Sequence, residues 1–489
     1  RLSELLVRSG RPREAAQATA ALAPASRDAA LLFAHAEALK ADNRREEALE
    51  VCRRARDLDP ANAVAWHNLA SVLADLHRHD EALEAADRAR ALGLDAAVAW
   101  VVRAHALQGL NRLDEAASAF AEALRRDPRM PVAVTDLARL TWMRTGDQAG
   151  AAAVYDRAFA AGASDVSLLV DKARLLEYAG DRAAALAVLA PATGGVGDPR
   201  AHVVAAQIAA PLDPDLAARH AEAAVAARPD DAGLRLNLAE ARLAQGRPEE
   251  AAVLAAETLA ATPLNQGALA VQATAWRLTG DPRYAALYDY PGLVGAYAIE
   301  TPEGWPDLAA FLRDLAAALH RLHALQAHPV GQSLRGGAQT GVNLLRSQDL
   351  AIRAAFRALD APIRAHIAAL GKGRDPVRSR VGRGYRYAGA WSVRLRPGGR
   401  HVDHVHPQGW LSSAFYVDLP AAVEAGGREG WIKFGEPGLP HGPQPLSAEH
   451  WVKPEPGKLV LFPSYMWHGT VPFGGEASRL TLAFDLVPA

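Results

Sequence analysis

Apolar and polar positions along the first part of the chain follow a helical rhythm. Alanine-dense segments alternate with turns, and the turns recur at fixed spacing. The small residues that open the second helix of each unit fall at Ala15, Ala48, Ala82, Ala116, Ala151, Ala184, Ala218, Ala251 and Ala285, with successive gaps of 33 to 35 residues. An acidic residue often precedes them, as at Glu14, Glu47, Glu81, Glu115 and Glu250. Pro229 and Pro263 stand one unit apart, Pro60 and Pro128 two, and Trp66 and Trp100 each open a first helix. A single helix pair cannot bury its apolar face alone, so such pairs stack, and alanine permits close approach. The stretch Gly194–Pro214 departs from the rhythm and predicts a short or distorted unit.

The pattern changes after Tyr288. Trp305, Leu308, Phe311, Leu312, Leu315, Leu319, Leu322 and Leu325 lie mostly three or four apart and predict an amphipathic helix over 305–325. On it, His320 and His323 read as surface or packing residues. The glycine-rich stretch Gln332–Thr340 reads as a polar loop, and a second helix is predicted from about Ser347 to Leu370. From Val377 onward the pattern is β. Ala390–Leu395, Trp410–Val417, Trp431–Phe434, Lys458–Phe462 and Leu480–Phe484 are predicted strands, separated by Gly and Pro turns. Many short strands of this kind argue a sandwich or jelly roll.

The period of 34 resembles the tetratricopeptide repeat. The expected fold class is therefore a two-part α + β chain. Residues 1–285 would form an all-α tetratricopeptide-repeat solenoid. Residues 286–489 would form a double-stranded β-helix (jelly roll) with buttressing helices. The resemblance implies a concave face that binds a peptide or partner protein, the alternative being a spacer or dimer scaffold.

Composition narrows the picture. The chain has 489 residues, half of them apolar, and a net charge of −1. That balance argues against broad affinity for nucleic acid or an anionic membrane. No run of eighteen apolar residues is present to span a membrane. The single cysteine, Cys52, excludes an intrachain disulfide framework and a cysteine-based zinc cluster. It fits a reducing, cytoplasmic setting and a packing role. The chain opens at Arg1 with no signal-peptide pattern and no Met, which leaves room for a leader removed upstream. Oligomeric state leaves no mark in the pattern.

Candidate chemistry is concentrated late. His401, Asp403, His404 and His406 lie side by side, His468 follows Phe462-Pro463-Ser464, and Arg479 stands eleven residues beyond it. Alternate strand residues point one way, so an i, i+2 pair can grip one metal. Two such pairs overlap here. His401, Asp403 and His468 would make the two-histidine, one-carboxylate triad of non-haem iron. His404, His406 and His468 would make a site of three imidazoles. Arg479 is suited to a bidentate pair with a carboxylate co-substrate. Trp467 flanks the ligands as wall.

The second half is similar to a bacterial family of 2-oxoglutarate/Fe(II) oxygenases that often trail tetratricopeptide repeats. The matching residues are Ser333-Leu334-Arg335-Gly336-Gly337 with Gln339-Thr340, then Trp391-Ser392-Val393, His404-Val405-His406-Pro407 with Gly409 to Ser413, Phe462-Pro463-Ser464 with Trp467 to Thr470, Arg479 and Phe484. Asp485 stands where that family more often has Asn. The resemblance favours His404, His406 and His468 as metal ligands over His401 or Asp403. It implies Fe(II), 2-oxoglutarate and O2, with Arg479, Tyr416 and Ser392 on the co-substrate. Ser392 and Arg394 alternate onto one side of a strand and could line one pocket. Arg335, Trp410 and the loop Gly435–His441 are candidates for the substrate rim.

The function expected is a dioxygenase hydroxylating a side chain of a peptide or protein recruited by the repeats. The alternatives are an oxygenase acting on a small-molecule or natural-product substrate, and a non-catalytic repeat scaffold with a metal-binding jelly roll.

Overall fold

A computed structural model describes residues 2–195, 197–424 and 427–489. Helix pairs fill the first half. The second helices open at Pro12, Arg45, His79, Leu113, Gln148, Arg182, Pro214 and Pro248, keeping the repeat phase. Seven of the nine predicted alanines are buried. At the sixth unit the neighbouring Ala185 takes the buried place, and Ala285 is exposed on a five-residue helix where the rhythm ends.

The acidic positions have a local reason. Glu14, Glu47, Glu81 and Glu115 each accept from an arginine three residues earlier, Arg11, Arg44, Arg78 and Arg112, across the first turn of the second helix. These pairs are exposed and add little stability, but they order the helix start. Every turn inside a helix pair but the seventh, at 210–213, also uses one left-handed residue. Asn43, His77 and Asn111 supply it in three units and glycine in others, such as Gly180 and Gly246.

Chain contacts divide into two compact units, Arg1–Thr141 with Ala149–Ser164, and Trp142–Gln148 with Asp165–Ala489. The first is helical, with Phe120, Leu107 and Leu39 in its core. The second holds the later repeat helices and all the β structure.

Among the described residues nine strands run β1 Gly295–Ala298, β2 Leu334–Gln339, β3 Tyr385–His401, β4 Leu411–Asp418, β5 Ile432–Phe434, β6 His450–Val452, β7 Lys458–Pro463, β8 His468–Thr470 and β9 Arg479–Pro488. They form two antiparallel sheets, β1-β7-β4-β9-β3-β2 and β6-β5-β8. Helices Leu308–Leu322 and Leu350–Leu370 bury Phe311, Leu315, Leu359 and Ile363 in one core with Phe415, Leu459 and Leu461. Leu269, Ala270 and Ala273, from the repeat helix Gln266–Thr279, belong to that same core.

The glycine-rich stretch expected as a loop is corrected: it carries the edge strand β2. Its register against β3 shifts between Arg335 and Gly337. A Cβ on Gly336 would meet Gly399 Cα at 2.9 Å, and one on Gly337 would meet the Arg394 carbonyl at 2.4 Å. The glycines mark a close strand approach at a bulge, which reads as a turn when no partner strand is visible.

The core makes the second unit acid-sensitive. Burial pulls the His366 imidazole down to about 4, while an unfolded imidazole titrates near 6.5. As pH falls below about 6.5, the unfolded chain takes up a proton that the folded chain refuses. The contribution is therefore present above that pH and lost toward 4, and it reaches about 3 kcal/mol. His323, pushed to about 3 by burial, acts in the same direction. The urea midpoint should drop between pH 7 and 4.5, and drop less in His366→Phe. Equal drops in the two proteins would contradict this account.

Candidate metal centre

β3 ends at His401, and the chain crosses to β4 through residues 402–410. Within that crossing, His404 N–H donates to the His468 carbonyl at 2.9 Å, and His468 N–H returns to the His404 carbonyl at 3.1 Å. His406 N–H donates to the Ser464 carbonyl at 2.8 Å. These bonds lock two segments sixty residues apart in sequence. Three imidazoles then face one another. Ring centroids are 4.1 Å apart for His404 and His468, 5.0 Å for His404 and His406, and 5.1 Å for His406 and His468. One ring nitrogen from each lies within 4.8 Å of the other two.

The outer bonds set the tautomers. His404 Nδ1 donates to the Val402 carbonyl at 2.8 Å and His468 Nδ1 to the Met466 carbonyl at 2.9 Å. His406 Nδ1 meets Asp485 Oδ1 at 2.6 Å. A carbonyl can only accept, so the Nδ1 atoms carry the protons and the Nε2 lone pairs turn inward. His404 Nε2 and His406 Nε2 are 3.1 Å apart. Burial pushes His404 and His468 well below the usual histidine range, so both stay neutral. Converging imidazole nitrogens form a donor set for a divalent transition metal.

The other two neighbours lie outside the three-nitrogen cluster, although His401 lines the same cavity. His401 stacks on His404 at 5.7 Å, and its Nδ1 is bonded to Ser333 Oγ at 2.9 Å. Asp403 points to Lys433, with Oδ2 2.8 Å from Nζ. The carboxylate thus lines a neighbouring cavity with Glu436 and Trp451.

The imidazoles open onto a cavity of about 570 Å³, within the range of small-molecule sites. Strand alternation supplies its wall. Arg479, Thr481, Ala483 and Asp485 are one face of β9, and Trp391 and Val393 come from the paired face of β3. Arg479 is 3% exposed, and among the described residues no carboxylate pairs with it. Its Nε has no hydrogen-bond partner, and its guanidinium lies 5.0 Å from the Tyr416 ring centre. A buried charge without a partner is costly, and an incoming anion would relieve it.

Several expected site residues are placed differently. Ser392 is fully buried, with its hydroxyl bonded to His323 Nε2 and the Thr481 carbonyl. Arg394 shares that face and reaches the His323 carbonyl. Pairing of Trp391 with Ala483 and Val393 with Thr481 puts the odd-numbered side of β3 on the cavity, so Ser392 and Arg394 face away. Trp410 is also a core residue, not rim: it is buried, and its indole N–H donates to the Val377 carbonyl. Tyr416 lies buried behind Arg479 instead of on the wall, its hydroxyl unpartnered. Arg335 does line the cavity, stacked 4.4 Å from Tyr178 of the repeat helix Val166–Tyr178. Gly438, Leu439 and Pro440 line a different cavity.

Asp485 is the functional candidate that sequence reasoning passed over. It holds His406 and also accepts from Ser412 Oγ at 2.8 Å. Counting by two from Arg479 along the strand would have found it.

Residues 389–485 match the family model described as Putative 2OG-Fe(II) oxygenase, and residues 67–128, 101–166 and 212–281 match that of the tetratricopeptide repeat. The chain thus joins tetratricopeptide repeats to a C-terminal domain of that oxygenase family. No curated protein matches the chain. Among solved structures, MamA from Desulfovibrio magneticus RS-1 is 22% identical over 32% of this chain and 90% of its own, with a TM-score of 0.29. The C-terminal part of a repeat protein from Cytophaga hutchinsonii is 16% identical over 49% and 98%, with a TM-score of 0.38. Pseudomonas aeruginosa PilF is 20% identical over 43% and 95%, with a TM-score of 0.34.

The geometry predicts anaerobic Fe(II) binding by calorimetry that His468→Ala abolishes. Asp485→Ala should weaken it about 10- to 100-fold, the usual worth of a carboxylate behind a histidine ligand. Unchanged affinity in both variants would remove the three-imidazole site.

Proposed function

We propose that residues 286–489 form a 2-oxoglutarate/Fe(II)-dependent dioxygenase, and that it hydroxylates a side chain of a peptide or protein recruited by repeats 1–285. The two sheets are read as the halves of a double-stranded β-helix. The observation that carries the reading is the pairing of inward imidazole lone pairs with a buried guanidinium that no carboxylate among the described residues meets, in one cavity. Fe(II), 2-oxoglutarate and O2, when bound, supply the oxidant for an unactivated C–H bond.

The chain's own residues do the rest. His404, His406 and His468 are the metal ligands, and Asp485 keeps the His406 ring oriented. Arg479 takes the far carboxylate of the co-substrate, and Tyr416 behind it supports the guanidinium face. Trp391, Val393 and Phe462 keep water from the reacting atoms. Tyr178 favours a peptide substrate. It belongs to a repeat helix and lines the cavity, so a segment held on the later repeats reaches the imidazoles directly.

The first test is anaerobic titration with Fe(II) and then 2-oxoglutarate, following the weak visible charge-transfer band. The parent should develop the band. Arg479→Ala should need about 30-fold more co-substrate, the low end of the cost of leaving a buried charged partner unpaired. Absence of the band with iron bound would sink the co-substrate assignment.

Substrate class is then read by mass spectrometry. A peptide library incubated with the full chain should yield members heavier by one oxygen. Co-substrate turnover with an unmodified library would move the reading to a small molecule. The repeats should stay intact in this assay, because helix Gln266–Thr279 shares the core of the sheets.

A further inference from the structure

A second cavity, of about 250 Å³, lies beside the metal centre and is not used by the chemistry above. One wall is repeat helices: Gln207 from Pro199–Ala209, and Asn237 and Glu240 from Ala232–Ala244. The other is Leu439 and Pro440 with the indole of Trp467. The loop is brought there by a backbone contact. A Cβ on Gly442 would meet Gly246 Cα at 2.8 Å, and Gly442 itself has φ +80°.

The polar groups of this cavity are unbalanced. Glu240 has no ion pair among the described residues. Arg174 donates to Gln207 Oε1 at 3.0 Å and does not line the cavity. Asn237 is 5% exposed, and its Oδ1 has no hydrogen-bond partner. The cavity therefore presents a carboxylate and an unpartnered amide oxygen, both acceptors, and no cationic side chain. Its remaining walls are apolar: Ala206, Ala210, Ala241 and the Trp467 ring.

The geometry points to a binding pocket for a basic side chain, an ammonium or guanidinium on an aliphatic stem. The cation meets Glu240 and Asn237 Oδ1, the stem lies on the alanines, and Trp467 adds an aromatic face. The volume suits one such side chain. Burial holds the Glu240 carboxyl up at about 7, the expected strain of an anion site without its cation. Trp467 adjoins His468, so a basic residue seated here would anchor a peptide close to the metal centre. That last step rests on the oxygenase reading; the pocket does not.

The test is calorimetry on the metal-free full chain, which separates it from any failure of the oxygenase reading. Probes are Nα-acetyl-arginine amide, agmatine and the neutral isostere Nα-acetyl-citrulline amide. Either cation should bind at least about ten-fold tighter than citrulline, the worth of one charge-assisted hydrogen bond. Tighter binding of the amide than of agmatine would identify a peptide side chain as the source, and the reverse a free amine. Glu240→Gln should erase the preference for charge. Equal binding of the charged and neutral probes to the parent chain, or no binding of either cation, would overturn the proposal without recourse to a variant. So would an unchanged preference in Glu240→Gln.

Discussion

The segment Tyr465–His468 is the constraint on which the rest of the site depends. The Tyr465 hydroxyl donates to the Leu287 carbonyl at 2.9 Å. The Tyr288 hydroxyl donates to the Tyr465 carbonyl and accepts from Trp467 N–H. The Trp467 indole N–H reaches Thr274 Oγ1 at 3.0 Å on the last long repeat helix. One residue further, the backbone pair between His468 and His404 begins. A buried segment with its polar groups satisfied on each side has little freedom to shift. His468 therefore inherits its position from the repeats as well as from the sheet.

That coupling gives the repeats a role beyond tethering. Arg277, on the same helix as Thr274, donates to the carbonyls of Gly435 and Ser447 and pairs with Glu449 at 3.1 Å. Trp142 donates to the His328 carbonyl, and the Met143 carbonyl accepts from Gln326 and Ala327 N–H. The loops that frame the cavity are thus hung on helices of the second compact unit. Tyr178 and Glu240 stand on other helices of that unit, Val166–Tyr178 and Ala232–Ala244, and face two neighbouring cavities. Placing recognition groups on rigid helices fixes them better than loops would.

The metal centre itself is arranged by outward bonds. Each ring spends its Nδ1–H on a fixed acceptor, two of them backbone carbonyls. Carbonyl acceptors are set by chain path, not by side-chain choice, so they cannot be read from residue types. Asp485 differs, because β9 alternates regularly from Arg479 and brings it inward by parity alone.

What the sequence by itself determined is whatever repeats or alternates. The 34-residue phase located the second helices because one small residue per unit must pack tightly. Amphipathic spacing located Leu308–Leu322 and Leu350–Leu370. The β-rich runs marked five of the nine strands, and the histidines with Arg479 marked the site. Tertiary structure decided what depends on a partner distant in the chain. β2 needed β3 before its glycines could read as a bulge. β1, β6 and β8 are three or four residues long and carry no β-rich run like the five that marked other strands. Whether Asp403 or His406 faced the other histidines depended on where Lys433 and Asp485 came to lie, and local spacing carries no information about either. Likewise the side of β3 that lines the cavity, with Ser392 and Arg394 turned away, was set by pairing with β9. A strand's alternation defines two faces, and only its neighbours say which one looks inward.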